Sequence, residues 1–150
     1  MQSFTTEQIK EISQQLDCGF RAFYHKLTGE LIFVPDTDRH FDMDTSAWKE
    51  ELKRLKKNFL NYQEIYAMEA SDSFKVMAEF SEQITDERLR AKLIDALERK
   101  GPFTHFKFVI DNAGDYRQHW FAFKGNSYYE WVVDQLKMHN QLNDQENVSQ

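Results

Sequence analysis

The sequence contains few of the residues that interrupt regular secondary structure, with 5 glycines and 2 prolines among 150 residues. Because long irregular connections draw on both residue types, their scarcity predicts helices joined by short connections. The chain also has a single cysteine, Cys18. One cysteine excludes an intramolecular disulfide and the zinc sites that are built on paired cysteines. We predict that Cys18 is a small structural residue, buried or half-buried.

Long apolar runs and targeting segments are also missing. No apolar run approaches the roughly 20 residues that a membrane-spanning helix needs. The N-terminal stretch MQSFTTEQIKEISQQL is polar and periodic, unlike a signal or transit peptide. We therefore expect a cytoplasmic protein that has no membrane partner.

Aromatic residues, by contrast, are abundant. The chain has 13 Phe, 6 Tyr and 3 Trp, and 41% of its residues are hydrophobic. Such a composition is typical of a folded chain in which aromatic burial supplies much of the core energy. The length of 150 residues is close to the commonest size of one domain. We predict a single domain over residues 1–140 and a flexible polar tail over residues 141–150.

The formal net charge of the chain is -6. Counted by segment, it is -1 over residues 1–60, -3 over 61–100, +1 over 101–125 and -3 over 126–150. No segment is therefore expected to be strongly basic. Non-specific nucleic-acid binding depends on clustered Lys and Arg, so this distribution argues against it.

In the first half of the chain, the spacing of apolar residues changes between the period of a helix and that of a strand. Thr5 and Gln8 form a capping-box pattern, and Gly29 separates two runs rich in aromatic and β-branched residues. The predicted elements are a helix over residues 6–16, strands over 20–26 and 30–34, a helix over 46–60 and a third strand over 64–70. The second helix has Asp44 or Thr45 as its N-cap. Its inward side would consist of four residues at helical spacing: Trp48, Leu52, Leu55 and Phe59.

The second half is predicted to be mostly helical. Ser71 caps one helix, Thr85 or Asp86 begins the next, and Gly101 with Pro102 ends it. A fifth helix follows and closes at Gly114. The predicted inward residues of these helices are Phe74, Met77 or Ala78, Ile84, Leu89, Leu93, Ala96, Leu97, Phe103, Phe106 and Ile110. Residues 116–124 fit either a strand or a helical turn. The last helix would begin with the capping box of Ser127 and Glu130 and end near Asn140.

These elements together predict an α+β fold. An N-terminal helix precedes a small, three-stranded, mainly antiparallel sheet that is interrupted by a helix, and a C-terminal helical cluster follows. The run FRAFYHK places aromatic residues on both faces of its strand. At least one face of the sheet should therefore be covered by helices.

Over roughly the whole domain, and most strongly from Met68 to Leu136, the chain resembles a bacterial family of small proteins that is known only as an uncharacterised family. The resemblance is carried by MEASDSFKVMAEFSEQITDERLRAKLIDALERKGPFTHFKFVID, then WFAF and a last helix bearing Tyr and Trp. Its most recognisable positions are Gly101, Phe103, Phe106 and Lys107. The family usually has more basic residues where this chain has Thr104 and His105. The resemblance implies an α+β shape and brings no activity, cofactor or mechanism.

Two patterns in the sequence have residue types that occur in catalytic or metal sites. The acidic run DTDRHFDMD has the start of a calcium loop, but Phe41 and Ala47 stand where that loop requires Gly and Glu. An exposed turn that caps the second helix explains the run better. The alternative enzyme would use a histidine and carboxylate acid–base pair, drawn from His105, His119, Asp111 and Asp115. No nucleophile motif, phosphate loop or zinc pattern accompanies it, so no cofactor is predicted.

Three function classes remain. The first is an interaction or regulatory module in which exposed aromatic residues around Trp120, Phe121 and Tyr129 bind a protein partner or a second copy. The second is a nucleic-acid-associated protein, and the third is the small acid–base enzyme. The candidate binding residues form a set that we call the basic rim: Arg99, Lys100, His105, Lys107, Arg117, Trp120 and Lys124. The phenylalanines Phe103 and Phe106 beside this rim are expected to face the core.

Overall fold

The computed structural model describes residues 3–39 and 44–148, with side chains up to residue 142. The described part contains six α-helices and one three-stranded sheet. The elements are α1 (Thr6–Asp17), β1 (Phe20–His25), β2 (Leu31–Pro35), α2 (Lys49–Lys57), β3 (Tyr62–Ile65), α3 (Ala70–Gln83), α4 (Glu87–Glu98), α5 (Pro102–Asp111) and α6 (Tyr116–Val148). Two short 3-10 helices, Ser46–Trp48 and Phe59–Asn61, flank α2. The predicted α+β fold is confirmed.

The chain divides into two compact units. The first consists of Met1–Ala67 together with Tyr128–Gln150, and the second consists of Met68–Ser127. Helix α6 therefore contributes its first turns to the second unit and its later turns to the first. The single domain and flexible tail expected from the length stay predictions.

The N-terminus of α1 is held by the predicted capping box. The Thr5 hydroxyl accepts a hydrogen bond from the Gln8 backbone N–H at 3.1 Å, and the Gln8 side chain accepts one from the Thr5 N–H at 2.9 Å. Both bonds satisfy donors that have no partner within the helix. Cys18 is the C-cap of α1 and is exposed, so the prediction that it is buried was wrong.

The sheet has the strand order β2-β1-β3, and both neighbouring pairs are antiparallel. Phe23 lies opposite Ile32 on one side and Glu64 on the other. Since paired residues share a face, Phe23, Ile32 and Glu64 point to the same side of the sheet. That side carries a buried cluster in which Phe23, Ile32 and Val34 contact Leu55 of α2. On β1 the alternate residues Ala22 and Tyr24 are also buried.

Two predicted elements of the first unit have different bounds in the structure. The third strand is Tyr62–Ile65, earlier and shorter than the predicted 64–70. The helix expected over residues 46–60 is a 3-10 turn, then α2, then a second 3-10 turn. Because α2 ends at Lys57, the helical stripe does not reach Phe59, which is exposed together with Leu52.

The second unit is built around one buried cluster. Its members come from α3, α4, α5 and the first turns of α6: Met77, Phe80, Ile84, Leu93, Leu97, Phe106, Ile110 and Trp120. Trp120 is at the centre of the aromatic contacts, with ring centroids 5.2 Å from Phe80 and 4.9 Å from Phe106 in edge-on geometry. Edge-on pairs at this spacing add to the free energy of area burial. The predicted stripe of α4 is thereby confirmed in Leu93 and Leu97.

The predicted core positions of α3 and α5 are only partly confirmed. Phe106 and Ile110 are buried as predicted, but the prediction was wrong for Phe103, which is 44% exposed, and for Phe74, which is also exposed. Helix α3 begins at Ala70, before Ser71. There Glu69 is the N-cap in place of Ser71, and the Asp72 side chain accepts a hydrogen bond from the Glu69 N–H at 3.1 Å as the N3 residue of a capping box.

Residues 116–124, which fitted either a strand or a turn, are the start of α6. The predicted helix start at Ser127 was wrong. The Ser127 hydroxyl donates to the Phe123 carbonyl at 2.9 Å, the bond that a serine inside a helix makes to the preceding turn. The helix also does not end at Asn140, because its backbone continues to Val148.

Candidate functional site

A groove of about 400 Å³ lies beside α2 in the first unit. Phe23 and Val34 of the sheet and Leu52 and Leu55 of α2 supply its apolar lining, and Phe59 and Tyr66 lie at its margin. Apolar concave surfaces with a few polar groups are the usual place for ligand or partner binding.

The sequence builds this groove by ending α2 early. Leu52 and Leu55 are three residues apart and therefore lie on one side of the helix, where Leu55 is buried and Leu52 is partly open. After Asn58 the chain turns into a 3-10 helix, which begins with Phe59 and Leu60. Phe59 is 70% exposed and Leu60 is 83% exposed. Two adjacent large apolar side chains are thus left in solvent next to the groove.

An ion pair forms part of the groove wall. The Arg21 guanidinium donates two hydrogen bonds to the Glu64 carboxylate, with N–O distances of 2.9 Å and 2.7 Å. It also stacks over the Phe23 ring, 5.1 Å from the centroid. The hydrogen bond to Glu64 raises the pKa of Arg21. Because Arg21 and Glu64 neutralise each other, this pair forms part of the groove surface but adds little net charge to it.

Positive charge comes instead from α2. Its sequence KEELKRLKK has five basic and two acidic side chains, a net charge of +3. Arg54 forms an ion pair with Glu30. Lys56 lines the groove and makes no ion pair with any residue that the structure describes. The expectation that no segment is strongly basic was therefore wrong at the scale of one helix.

The structure describes part of the acidic run that precedes α2, residues 36–39 and 44. Asp44 accepts a hydrogen bond from the Ser46 N–H at 2.9 Å, and this bond lowers the pKa of Asp44. Thr45 is the N-cap of the 3-10 turn but makes no side-chain cap bond, and the N-cap of α2 is Trp48, so neither predicted cap holds α2. Asp36 accepts one from the Asp38 N–H at 3.1 Å. Residues 40–43, which include His40 and Asp42 of the acidic run, lie outside the described residues. In the described ranges no three His, Cys, Asp or Glu side chains are grouped as metal ligands.

The basic rim lies in the second unit, and part of its charge is already paired. Arg99 forms an ion pair with Asp95 at 3.0 Å, and Arg117 forms one with Asp111 at 3.1 Å. Arg117 also lies over the Phe121 ring, 4.7 Å from the centroid. Of the remaining members, Lys100 and Lys107 are exposed, and His105 and Lys124 are partly buried. Binding by this rim stays a prediction.

The aromatic part of that prediction needs correction. Trp120 is only 8% exposed and belongs to the core, so it was wrong to place it on a docking surface. Phe121 is exposed as expected, and Tyr129 is partly buried. At the start of α6, burial follows the helical period: Trp120 and Phe123 turn inward while Phe121 turns outward.

The enzyme alternative requires His105 and His119 to act together, and the described contacts do not bring them together. Within the described chain, no hydrogen bond or ring contact joins His105 to His119. The His119 ring instead lies against Tyr116, with centroids 5.6 Å apart. Asp111, one of the two candidate carboxylates, is engaged by Arg117.

Sequence reasoning missed a buried polar pair in the first unit. The Tyr24 hydroxyl and His139 Nδ1 lie 3.1 Å apart, and both residues are buried. Burial raises the pKa of Tyr24 and lowers the pKa of His139. The burial of His139 could have been predicted from helical spacing, since His139 lies one turn after the apolar series Tyr128, Val132 and Leu136 on the same side of α6.

The chain belongs to an uncharacterised protein family, UPF0158, whose family model matches residues 1–147. No curated protein and no solved structure matches the chain. The resemblance to an uncharacterised family, expected over roughly the whole domain, is thereby confirmed. In the part of the chain that the structure describes, no helix is both long and apolar enough to cross a membrane.

Proposed function

We propose that the protein is a cytoplasmic interaction module that binds an acidic, apolar segment of a partner protein. The binding region is a set that we call the α2 surface: Lys53, Lys56, Lys57, Phe59 and Leu60, with the groove beside them. The module carries out no reaction of its own.

The observation that carries this proposal is the exposure of Phe59 and Leu60 directly after a helix of net charge +3. Covering one such side chain contributes about 1.5–3 kcal/mol. Aromatic residues beside apolar grooves are also the usual centres of protein interfaces. Lysines around such a centre favour a partner with carboxylates and disfavour one with exposed cations.

The lining of the groove favours a peptide over a nucleic acid. Its apolar part consists of three aliphatic residues, Val34, Leu52 and Leu55, and four aromatic residues, Phe23, Phe59, Tyr62 and Tyr66, and such a surface accepts the apolar side chains of a peptide. The positive charge is confined to one nine-residue helix of net charge +3, which is small beside the clustered Lys and Arg that non-specific nucleic-acid binding needs.

Fluorescence anisotropy with two probes tests the proposal. One is a labelled, Glu-rich amphipathic peptide with Leu and Phe on one side, and the other is a labelled oligouridine. We expect the peptide to bind and its affinity to fall with added salt. The variant Phe59→Ser should weaken peptide binding by at least about tenfold.

Phe108→Ser is the matched control, since Phe108 is 71% exposed, belongs to the second unit and is not among the residues that line the groove beside α2. It should leave peptide binding unchanged. Equal losses in both variants would contradict the proposal, as would binding of oligouridine in preference to the peptide.

A further inference from the structure

A second groove, of about 190 Å³, lies between α3 and α4 in the second unit. Its lining consists of four apolar residues and two carboxylates: Phe74, Ala78, Ile94, Leu97, Glu82 and Glu98. The pockets that hold small molecules are usually about 300–1,000 Å³, so this groove has room for one large side chain.

Helical spacing explains the composition of the groove. Phe74, Ala78 and Glu82 follow at intervals of four on α3, and Ile94 and Glu98 do so on α4. Each helix thus presents an apolar residue followed by a glutamate on the same side. Phe74 and Ile94 are exposed, although the sequence predicted Phe74 in the core. Neither Glu82 nor Glu98 forms an ion pair with a described residue.

The α2 surface has the complementary properties. It presents one exposed phenylalanine, Phe59, and the exposed cations Lys57 and Lys56 stand two and three residues before it in the chain. A large apolar side chain preceded by two lysines matches an apolar groove bordered by two glutamates in size and in sign of charge.

We propose that the α3–α4 groove binds the α2 surface of a second copy of this chain. Phe59 of one copy enters the groove of the other, and Lys56 and Lys57 pair with Glu82 and Glu98. This inference rests on the proposed function, because it names the acidic partner of the α2 surface. Each copy offers both surfaces, so the contact is heterologous and association continues as concentration rises.

Charge exchange between two full-length variants tests the inference. One variant carries E82K and E98K, and the other carries K56E and K57E. In sedimentation velocity, the mass of the unmodified protein should increase with concentration. Each variant alone should remain a monomer, because its two surfaces then carry the same sign of charge. Mixing the variants should restore association, because the α2 surface of the first faces the unchanged groove of the second.

The variant K137E is the control, since Lys137 is exposed and lines neither groove. It should associate as the unmodified protein does. Circular dichroism establishes whether each variant is folded. If a charge variant is unfolded, Phe59→Ser is tested in its place. Association should then weaken by at least about tenfold.

The results separate this inference from the proposed function. An unmodified protein that stays monomeric at every concentration overturns the inference, and so does a mixture that fails to associate. If the acidic peptide still binds the α2 surface in either case, the proposed function stands and only the second copy is excluded as the partner. If the peptide does not bind either, both are overturned.

Discussion

The Tyr24 hydroxyl lies 3.1 Å from His139 Nδ1, and this hydrogen bond joins residues 115 positions apart in the sequence. It connects β1 to the later part of α6 within the first unit. The edge of the Phe4 ring packs on Tyr24 with centroids 5.4 Å apart and helps to exclude water. A buried hydrogen bond between groups that can ionise makes the stability of this unit depend on pH.

We predict that the protein loses stability as the pH falls below about 7. Burial lowers the pKa of His139, so the unfolded chain takes up a proton at a higher pH than the folded protein does. The unfolded state therefore binds more protons, and stability falls through the unfolded pKa of about 6.5 toward the lower folded value. Urea unfolding between pH 5 and pH 8 measures the slope. The variant His139→Gln should have a smaller slope, and an equal slope would contradict the assignment.

Removing the Tyr24 hydroxyl should destabilise the protein. Tyr24→Phe leaves the buried His139 nitrogen without its partner, which costs about 1–3 kcal/mol. The midpoint of urea unfolding at pH 7.5 checks this value. The matched control is Tyr66→Phe, because Tyr66 is exposed and its structural bonds are made by its backbone. A control that loses as much stability as Tyr24→Phe would show that the buried bond is not the cause.

The phenylalanines of α5 provide a second matched comparison. Phe106 is buried against Trp120, so Phe106→Ala should lower the free energy of unfolding by about 3–5 kcal/mol. Phe103 is on the same helix but is 44% exposed. Phe103→Ala should therefore cost less than about 1 kcal/mol. Similar losses in the two variants, measured by thermal or urea unfolding, would mean that both side chains are in the core.

Local patterns in the sequence predicted local structure well. The capping box of Thr5 and Gln8, the hairpin around Gly29 and the stripe of α4 all depend on residues within about four positions of one another. The position of Phe59 was missed because the stripe continues in sequence after the helix has ended at Lys57. Periodicity specifies which side a residue would face, but not where the helix stops.

The candidate site was missed for two further reasons. The charge of α2 was averaged with the acidic turn before it, because the charge was counted over residues 1–60, whereas α2 has only 9 residues. The groove itself requires β1 and β3 to meet α2, and single-sequence patterns do not specify such long-range contacts. The pairing of Tyr24 with His139 is a contact of the same kind.

Glycine substitutions test whether α6 is continuous. Gly125 lies inside this helix, and a Cβ added there meets no atom within 4 Å. Gly125→Ala should therefore stabilise the protein by about 0.5–1 kcal/mol, because alanine is the better helix former. Gly101 provides the opposite case, since its φ of +72° is a conformation that alanine adopts only with strain. Gly101→Ala should destabilise the protein by about 1 kcal/mol or more. A loss of stability in Gly125→Ala, measured by thermal unfolding, would show that the helix is broken near Ser127, as the sequence alone predicted.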